Sequence, residues 1–358
     1  MGIRNCKSKK NILLFLGAIV AVIMLMIVAN LRSKLLLELT APQGGVRKLF
    51  TSGDNLVAIS NGNEVYVWDW KNLSGKPEKS SVTALDVTWM EPGRLVWAAL
   101  PEADTIVVSD LKGEKEYKRI FIGQEWQCKI LRTSRNGRFS AVGMVNKTDE
   151  EEGTNSFRKI RIGLLDSKFE KVDTIVTISG KGNDFELSNI AVSEDGATVA
   201  VVGSSNGGWI AVADVKQKKI LWEMSQESAI RINEVAFAPD GKKLYAVGKD
   251  FTLYEYETGT GESIHSWITG RGKYEKVDSH IWHSVGIEAS SDEYLIAVAG
   301  QDTGVEFFDT KDLVNKGILA PAHHILAGIA FSPDASMLAT ADIRADGIIK
   351  IWQVQKIY

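Results

Sequence analysis

The sequence predicts an all-β fold of repeated four-stranded antiparallel units, preceded by one hydrophobic helix. Three observations lead to this prediction. A charge-free apolar segment fills residues 12–31. After it, a short run rich in Val, Ile, Ala and Trp recurs along the chain and usually ends in an acid. The composition, with 44% hydrophobic and 24% charged residues and only 7 prolines, is typical of a folded body rather than a disordered chain.

The apolar segment at residues 12–31 reads ILLFLGAIVAVIMLMIVANL, and Asn30 is its one polar side chain. As a helix rising about 1.5 Å per residue it spans roughly 30 Å, the thickness of a bilayer core. A cleavable signal peptide has a shorter apolar region, about 7–15 residues, and a small-x-small cleavage site. We therefore expect an uncleaved signal anchor. It separates a short basic tail, residues 1–11, from a folded body, residues 35–358.

The charge of the chain is unevenly distributed. Residues 1–34 carry a charge of +6, so the remainder carries −9. Four of the positive side chains precede the apolar segment, which favours a cytoplasmic N-terminus. We expect the body to be extracytoplasmic, in a periplasm or lumen. An acidic body lacks the positive surface that phosphate backbones require, so nucleic acid is not an expected partner.

A strand-like run recurs seven times after the apolar segment. The copies read VYVWDW, TIVVSDL, IRIGLLD, WIAVADV, TLYEYET, GVEFFDT and IIKIWQV. They end at Asp69, Asp110, Asp166, Asp214, Glu257, Asp309 and Gln353, at spacings of 41 to 56 residues. Propeller blades of four strands repeat at about 40–45 residues. The two longest intervals contain inserts at residues 147–159 and 271–283. The sequence therefore predicts a seven-bladed β-propeller.

A second element precedes several of these runs and supports the same register. It reads IAVSEDGATVAVVG at 190–203, VAFAPDGKKLYAVG at 235–248 and IAFSPDASMLATAD at 329–342. Its central Pro-Asp-Gly or Glu-Asp-Gly favours a tight turn. The element resembles the turn between the first and second strands of WD-repeat proteins, and the Trp-Asp pair itself occurs at Trp68-Asp69. The resemblance implies a propeller that binds proteins.

The chain departs from the WD pattern in one respect. WD repeats usually place a Gly-His pair ahead of the first strand. His323 stands at that place in the last unit, whereas Ala229, Asp184 and Pro42 stand at matching places elsewhere. These units are expected to depend more on aromatic and β-branched packing.

The ends of the propeller are expected to meet. The last unit shows three clear strands, and KLLLELTAPQ at residues 34–43 resembles the missing fourth. We expect residues ~35–40 to complete the seventh blade. Residues 32–34 alone link the anchor to this strand, a reach of about 10 Å. The face carrying the first-to-second strand turns should therefore lie against the membrane, with the opposite, distal face free to bind.

The sequence offers little sign of catalysis. P-loop and GxGxxG motifs do not occur. The repeated strand-terminal acids are interpreted as turn residues. The distal histidines could hold a metal because imidazole is a common ligand, but HExxH patterns and cysteine ligand clusters are missing from the sequence. We predict no catalytic residue, no cofactor and no metal, and Cys128 as a buried free thiol. The metal candidates are His280, His283, His323 and His324.

The function predicted is a membrane-anchored interaction scaffold or complex subunit that binds protein partners through the distal face. Trp and Tyr are enriched at binding hot spots, and an acidic insert breaks the repeat symmetry. The predicted partner surface comprises Trp126, Glu150, Glu151, Trp209, Tyr274 and Trp282. Two alternatives stay open. One is an exported propeller enzyme, a lactonase or a metal- or quinone-dependent oxidoreductase, and the other is an extracytoplasmic ligand sensor.

Overall fold

The computed structural model describes most of the chain after the apolar segment. The described residues are 34–40, 45–74, 76–91, 93–147, 159–179, 185–204, 207–225, 232–248, 252–268, 286–292, 294–300, 304–319, 326–342 and 348–354. The predicted anchor at residues 12–31 lies outside these ranges. Within the described ranges there is no helix with the length and apolar character needed to span a bilayer.

The described residues form 27 β-strands. The first nine are β1 (Lys34–Thr40), β2 (Val46–Ser52), β3 (Asn55–Ser60), β4 (Glu64–Asp69), β5 (Glu78–Met90), β6 (Arg94–Ala99), β7 (Thr105–Ser109), β8 (Glu116–Phe121) and β9 (Trp126–Thr133). The next nine are β10 (Phe139–Asn146), β11 (Lys159–Asp166), β12 (Asp173–Ser179), β13 (Glu186–Val192), β14 (Thr198–Ser204), β15 (Gly208–Asp214), β16 (Lys219–Ser225), β17 (Ile232–Phe237) and β18 (Lys243–Gly248). The last nine are β19 (Thr252–Glu257), β20 (Ser263–Ile268), β21 (Gly286–Ala289), β22 (Leu295–Gly300), β23 (Gly304–Asp309), β24 (Asn315–Leu319), β25 (Leu326–Phe331), β26 (Met337–Asp342) and β27 (Ile348–Gln353).

These strands form antiparallel sheets of sequence neighbours. Four sheets contain four consecutive strands each, β9–β12, β13–β16, β17–β20 and β21–β24. A seven-stranded sheet contains β2 to β8. It consists of two four-stranded units that share β5, because the first half of β5 pairs with β4 and its second half, from Ala84, pairs with β6. Each recurring run identified in the sequence is the third strand of its unit.

The remaining sheet joins the two ends of the described chain. Its strand order is β1-β27-β26-β25, so β1 adds the fourth strand to the last unit. Lys34 pairs with Gln353 and Thr40 with Ile348. This confirms the predicted pairing of residues 35–40 with the last repeat.

The first strand of each unit is its inner strand, and the inner strands adjoin one another in a closed cycle. In order they are β2, β5, β9, β13, β17, β21 and β25, and β25 adjoins β2 again. The sheets are thus arranged around an axis in a propeller-like fashion. Apolar residues from adjacent sheets fill the space between them. For example, Ile162 and Ile190 pack in one cluster with Phe185 and Trp209. Each fully buried side chain of this kind stabilises the fold by about 1.5–3 kcal/mol.

The turns between first and second strands share a hydrogen-bond pattern. In the turn after β13, Ser193 Oγ donates to Asp195 Oδ1 (2.6 Å) and accepts from the Thr198 N–H (3.0 Å). The hydrogen bonds from Ser193 and from the Ala197 N–H hold the pKa of Asp195 below its usual value. Gly196 has a φ of 69°, which glycine adopts without strain. The same pattern recurs at Ser134, Ser290 and Ser332. The predicted turns are confirmed.

The acids that end the third strands also have the predicted role. Asp69 Oδ1 accepts from the Lys71 N–H (2.8 Å), Asp166 Oδ1 from the Lys168 N–H (3.0 Å) and Asp309 Oδ1 from the Lys311 N–H (2.7 Å). Asp110 and Asp214 accept backbone N–H groups of their own turns in the same way. A side chain that satisfies the backbone donors of a turn favours that turn. These carboxylates are structural.

Candidate functional site

The inner strands surround a cavity of about 580 Å³. It extends from the middle of these strands to the turns that follow them, where residues such as Asn136, Glu194 and Pro333 line it. We call this end of the ring the turn face. The cavity lies on the axis of the propeller-like arrangement, where small ligands and partner loops can enter.

A β-bulge near the start of several inner strands places polar side chains beside this cavity. The ladder register shifts next to Lys48 in β2, Asp86 in β5, Asn189 in β13 and Glu234 in β17. A bulge leaves a residue outside the ladder and changes the direction of its side chain. Each of these four residues lies four positions before the residue that begins the first-to-second turn. The repeat therefore brings one polar position of several units to this cavity, which we call the channel.

Lys48, Asp86 and Arg132 form a buried ion network on one wall. Lys48 Nζ lies 2.8 Å from Asp86 Oδ1, and Arg132 Nη1 lies 3.3 Å from Asp86 Oδ2. Asp86 also accepts the Leu131 N–H (2.8 Å), and Lys48 donates to the carbonyls of Val87 (2.7 Å) and Leu131 (3.0 Å). Because these bonds join β2, β5 and β9, the network connects three successive units.

The network shifts the protonation of its members. Burial lowers the pKa of Lys48 to about 7, and repulsion from Arg132 acts in the same direction, while Asp86 opposes both. Burial alone would raise the pKa of Asp86, but attraction by Lys48 and Arg132 outweighs it and holds that pKa below its usual value. Asp86 is therefore charged at neutral pH, and Lys48 titrates near neutrality.

Carboxyl groups on other inner strands behave differently. Burial raises the pKa of Glu234 to about 7 and that of Glu288 to about 8. Asn189 Nδ2 donates to Glu234 Oε2, and Glu288 Oε2 accepts the Phe331 N–H (3.2 Å). Both acids line the cavity and hold a proton over part of the neutral range.

Arg135 crosses the ring at the turn face. It follows β9, and its Nη1 donates to the Ser290 carbonyl (3.1 Å) while Nη2 donates to the Ser291 carbonyl. Those carbonyls belong to the turn after β21, and β9 and β21 are not neighbours in the cycle of inner strands. The side chain therefore ties two distant units together across the mouth of the cavity.

Two of the residues predicted for partner binding are buried. The Trp126 ring is 3% exposed, and the Arg161 guanidinium lies 3.9 Å from its centroid. Trp209 is 6% exposed and meets Phe185 edge to face at a centroid distance of 5.1 Å. The structure thus shows both indoles as packing residues, and their part in partner binding stays a prediction. Glu150, Glu151, Tyr274 and Trp282 lie outside the described residues.

The histidines proposed as metal candidates also lie outside the described residues. They are His280, His283, His323 and His324, as are the Gly-His positions Ala229, Asp184 and Pro42. Among the residues that the structure describes, no group of three His, Cys, Asp or Glu side chains is placed to hold a metal ion. Cys128 is a buried free thiol as expected, and burial raises its pKa. A protonated, inaccessible thiol is unreactive.

The sequence reasoning did not single out the charged residues of the channel. A signal was available, because charged residues occupy one position of an otherwise apolar strand. Counting back four residues from Ser52, Met90 and Ala238 identifies Lys48, Asp86 and Glu234. Arg132 and Glu288 occupy another shared position, two residues before the turn. Because the strands are recognised by their apolar residues, charged residues at a shared position within them give no separate signal until the units are aligned with one another.

Comparison with known proteins agrees with this architecture. The family model described as WD domain, G-beta repeat, matches residues 318–353, which contain β25 to β27. A U3 small nucleolar RNA-associated protein 18 homolog from Arabidopsis thaliana is 29% identical over 105 residues, 29% of this chain and 18% of that protein. WD repeat-containing protein 1 from Rattus norvegicus is 26% identical over 159 residues, 41% of this chain and 24% of that protein. The chain spans less than a quarter of either relative.

These matches and the axial arrangement of four-stranded sheets support a WD-repeat, β-propeller-like protein. The resemblance predicted from the recurring strands and turns is confirmed at this level. WD-repeat proteins are in general interaction scaffolds rather than enzymes, although a fold of this kind does not by itself fix a function.

Proposed function

We propose that the chain is a membrane-tethered, seven-bladed propeller that binds protein partners through the face opposite the turn face. The observation that carries this proposal is the pairing of β1 with β27, because it closes the ring with the segment that directly follows the apolar residues 12–31. The closed cycle of inner strands supports a count of seven blades, with β5 serving the first two.

The register of β1 supports one orientation toward the membrane. Lys34 and Met337 both pair with Gln353, and Met337 directly follows the turn after β25. Lys34 is thus at the turn face. Residues 32 and 33 span only about 7 Å between a helix ending at residue 31 and this strand. Leu35 and Leu36, next in β1, are 40% and 45% exposed. We infer that the turn face lies toward the bilayer.

Sidedness follows from the charges that flank the apolar segment. The basic tail favours a cytoplasmic N-terminus, which puts the propeller in the periplasm or lumen. Protease added to sealed vesicles whose outer surface is the cytoplasmic side should then spare the propeller until the membrane is opened. Digestion of the propeller from the cytoplasmic side alone would contradict this orientation.

The predicted partner-binding residues of the distal face are Glu150, Glu151, Tyr274 and Trp282, with Trp126 and Trp209 beneath it. The test is affinity purification of the full-length chain from detergent-solubilised membranes. The variants Tyr274→Ala and Trp282→Ala should lose a stoichiometric partner. Tyr294→Ala is the matched control, because Tyr294 is 59% exposed and directly precedes β22 at the turn face. Equal loss in the control, or no stoichiometric partner at all, counts against the scaffold.

Two other functions make different predictions. An exported enzyme using the four distal histidines would purify with bound metal, and metal analysis of the isolated chain decides this. A ligand sensor would bind a small molecule without a stoichiometric protein partner.

The name of the Arabidopsis relative adds a nucleoprotein complex as a further candidate partner. Nuclease treatment before purification tests it, because a partner held through RNA would be released.

A further inference from the structure

One wall of the channel holds more positive charge than its carboxylate can compensate. Arg47, Lys48 and Arg132 all line the cavity. Asp86 is the only carboxylate within ion-pair distance of these three side chains among the residues that the structure describes. Arg47 donates to the carbonyls of Ala84 (3.1 Å) and Leu85 (2.5 Å), which carry no charge. With Lys48 protonated, the wall has two positive charges in excess.

The other walls do not supply the missing negative charge. Glu234 and Glu288 hold protons over part of the neutral range because burial raises their pKa values to about 7 and about 8. Glu91 and Glu194 also line the cavity, but they lie in the turns at its mouth, and among the described residues neither is within ion-pair distance of Arg47, Lys48 or Arg132. A buried charge without a partner is costly, and the pKa of a buried amine therefore falls until the neutral form is populated near neutral pH. Lys48 is such an amine, with its pKa at about 7.

The same wall has the shape and donors of an oxyanion site. Arg47 Nε is buried and has no hydrogen-bond partner among the described residues. The hydroxyls of Thr88 and Thr133, 2.8 Å apart, also border the cavity. A volume of about 580 Å³ is within the range of small-molecule sites. Guanidinium groups bind tetrahedral or planar oxyanions through paired N–H donors.

We propose that the channel wall formed by Arg47, Lys48 and Arg132 binds a small doubly charged oxyanion. The dianion matches the two excess charges, and the guanidinium groups of Arg47 and Arg132 donate hydrogen bonds to its oxygens. The anion site shares no residue with the proposed partner surface of the distal face. The two proposals can therefore be tested independently.

Binding at this site is coupled to protonation. The titratable and charged groups that face Lys48 are Arg47 on its own strand, Asp86 on β5, Cys128 and Arg132 on β9, and Glu234 on β17. A bound dianion favours the charged form of Lys48 and the protonated form of Glu234. Both effects take up protons near neutral pH. A merely structural ion network has no such linkage to added anion.

The test uses the full-length chain in detergent and sulfate, which stays doubly charged across the neutral range. Titration calorimetry at pH 7.5, in two buffers of different ionisation enthalpy, should show saturable binding with net proton uptake. Arg47→Gln and Arg132→Gln should each weaken binding at least tenfold, about 1.4 kcal/mol. Arg119→Gln is the control and should bind as the unaltered chain does, because Arg119 pairs with Glu116 on the exposed outer strand β8.

Proton uptake is measured on the unaltered chain, so it tests the proposal even if a channel variant fails to fold. Absence of saturable sulfate binding to the unaltered chain would overturn the proposal. So would binding without proton uptake, or an affinity that falls equally in the Arg119→Gln control.

Discussion

Leu39 of β1 lies directly opposite Ile349 of β27, at the point where the segment after the apolar residues joins the last repeat. Both side chains are buried in one cluster with Leu49 of β2 and Ile351. The same few residues therefore hold together the two ends of the described chain and the first and last units. Closure by hydrogen bonds also leaves no free edge on β27, where another chain could pair.

Truncation at this junction should open the ring. Leu39→Ala removes a side chain that is 5% exposed and should lower the free energy of unfolding by about 2–4 kcal/mol. Leu36→Ala, in the same strand but 45% exposed, is the control and should change it by less than about 1 kcal/mol. Urea unfolding followed by tryptophan fluorescence measures both. Equal effects of the two variants would contradict the closure.

The buried ion network should be more sensitive to loss of its acid than an exposed pair is. Asp86→Asn leaves Lys48 and Arg132 without their carboxylate and should cost about 3 kcal/mol of stability. Asp54→Asn breaks the exposed pair with Lys71, and no measurable change is expected. The comparison is made by chemical unfolding of both variants beside the unaltered chain. A stable Asp86→Asn variant would show that the network is not needed for folding.

The strands and their order could be predicted because they depend on local periodicity and on a repeat. The seven runs that end at residues such as Asp69 and Asp166 predict the third strand of every unit, and the KLLLELT segment predicts the strand that completes the last unit. The shared β5 could not be predicted in the same way. Its 13 residues run from one unit into the next as a single strand, whereas a sequence repeat leads one to expect a turn between two units.

The candidate site was harder to predict, because burial of long side chains depends on which units meet in space. Trp126 and Trp209 fall near loops in the sequence, yet their rings pack under neighbouring elements, Trp209 against Phe185. The charged residues of the channel are difficult to predict for another reason, which is their distance from one another in the sequence. Lys48 and Arg132 are 84 positions apart in sequence and are joined through Asp86 and the Leu131 carbonyl, so their proximity follows from the packing of successive units around the axis.

Stability should depend on pH through Glu288. Its pKa is about 8 in the folded chain and 4.5 in the unfolded chain, so the folded state binds more protons between these values. The stability from this group is complete below about pH 4.5 and is lost as the pH rises through about 8. Glu234 acts in the same direction up to about pH 7. Lys48 has a pKa of about 7 folded and 10.5 unfolded, so its contribution rises between those values.

Thermal unfolding at pH 5, 6, 7 and 8 measures this dependence. The melting temperature of the unaltered chain should fall between pH 5 and 7, where Glu288 and Glu234 act together, and level off between pH 7 and 8, where Lys48 opposes Glu288. Glu288→Gln should reduce the fall because glutamine does not titrate. Glu116→Gln, on the exposed outer strand β8, is the control and should retain the full fall. An undiminished fall in Glu288→Gln would assign the pH dependence to other groups.

The Arg135 contact should hold the turn face closed. Arg135→Ala removes two hydrogen bonds to the carbonyls of Ser290 and Ser291, and because the side chain is exposed we expect a loss of only about 1–2 kcal/mol. The turn at residues 290–295 should then exchange its amide hydrogens faster, although it lies three units away around the ring. Arg138→Ala is the matched control, since Arg138 is an exposed arginine of the same turn that lies near Phe139 of its own unit. Hydrogen exchange measured by mass spectrometry should show faster exchange at residues 290–295 in Arg135→Ala alone. Faster exchange there in both variants, or in neither, would mean that the two turns are not coupled through this side chain.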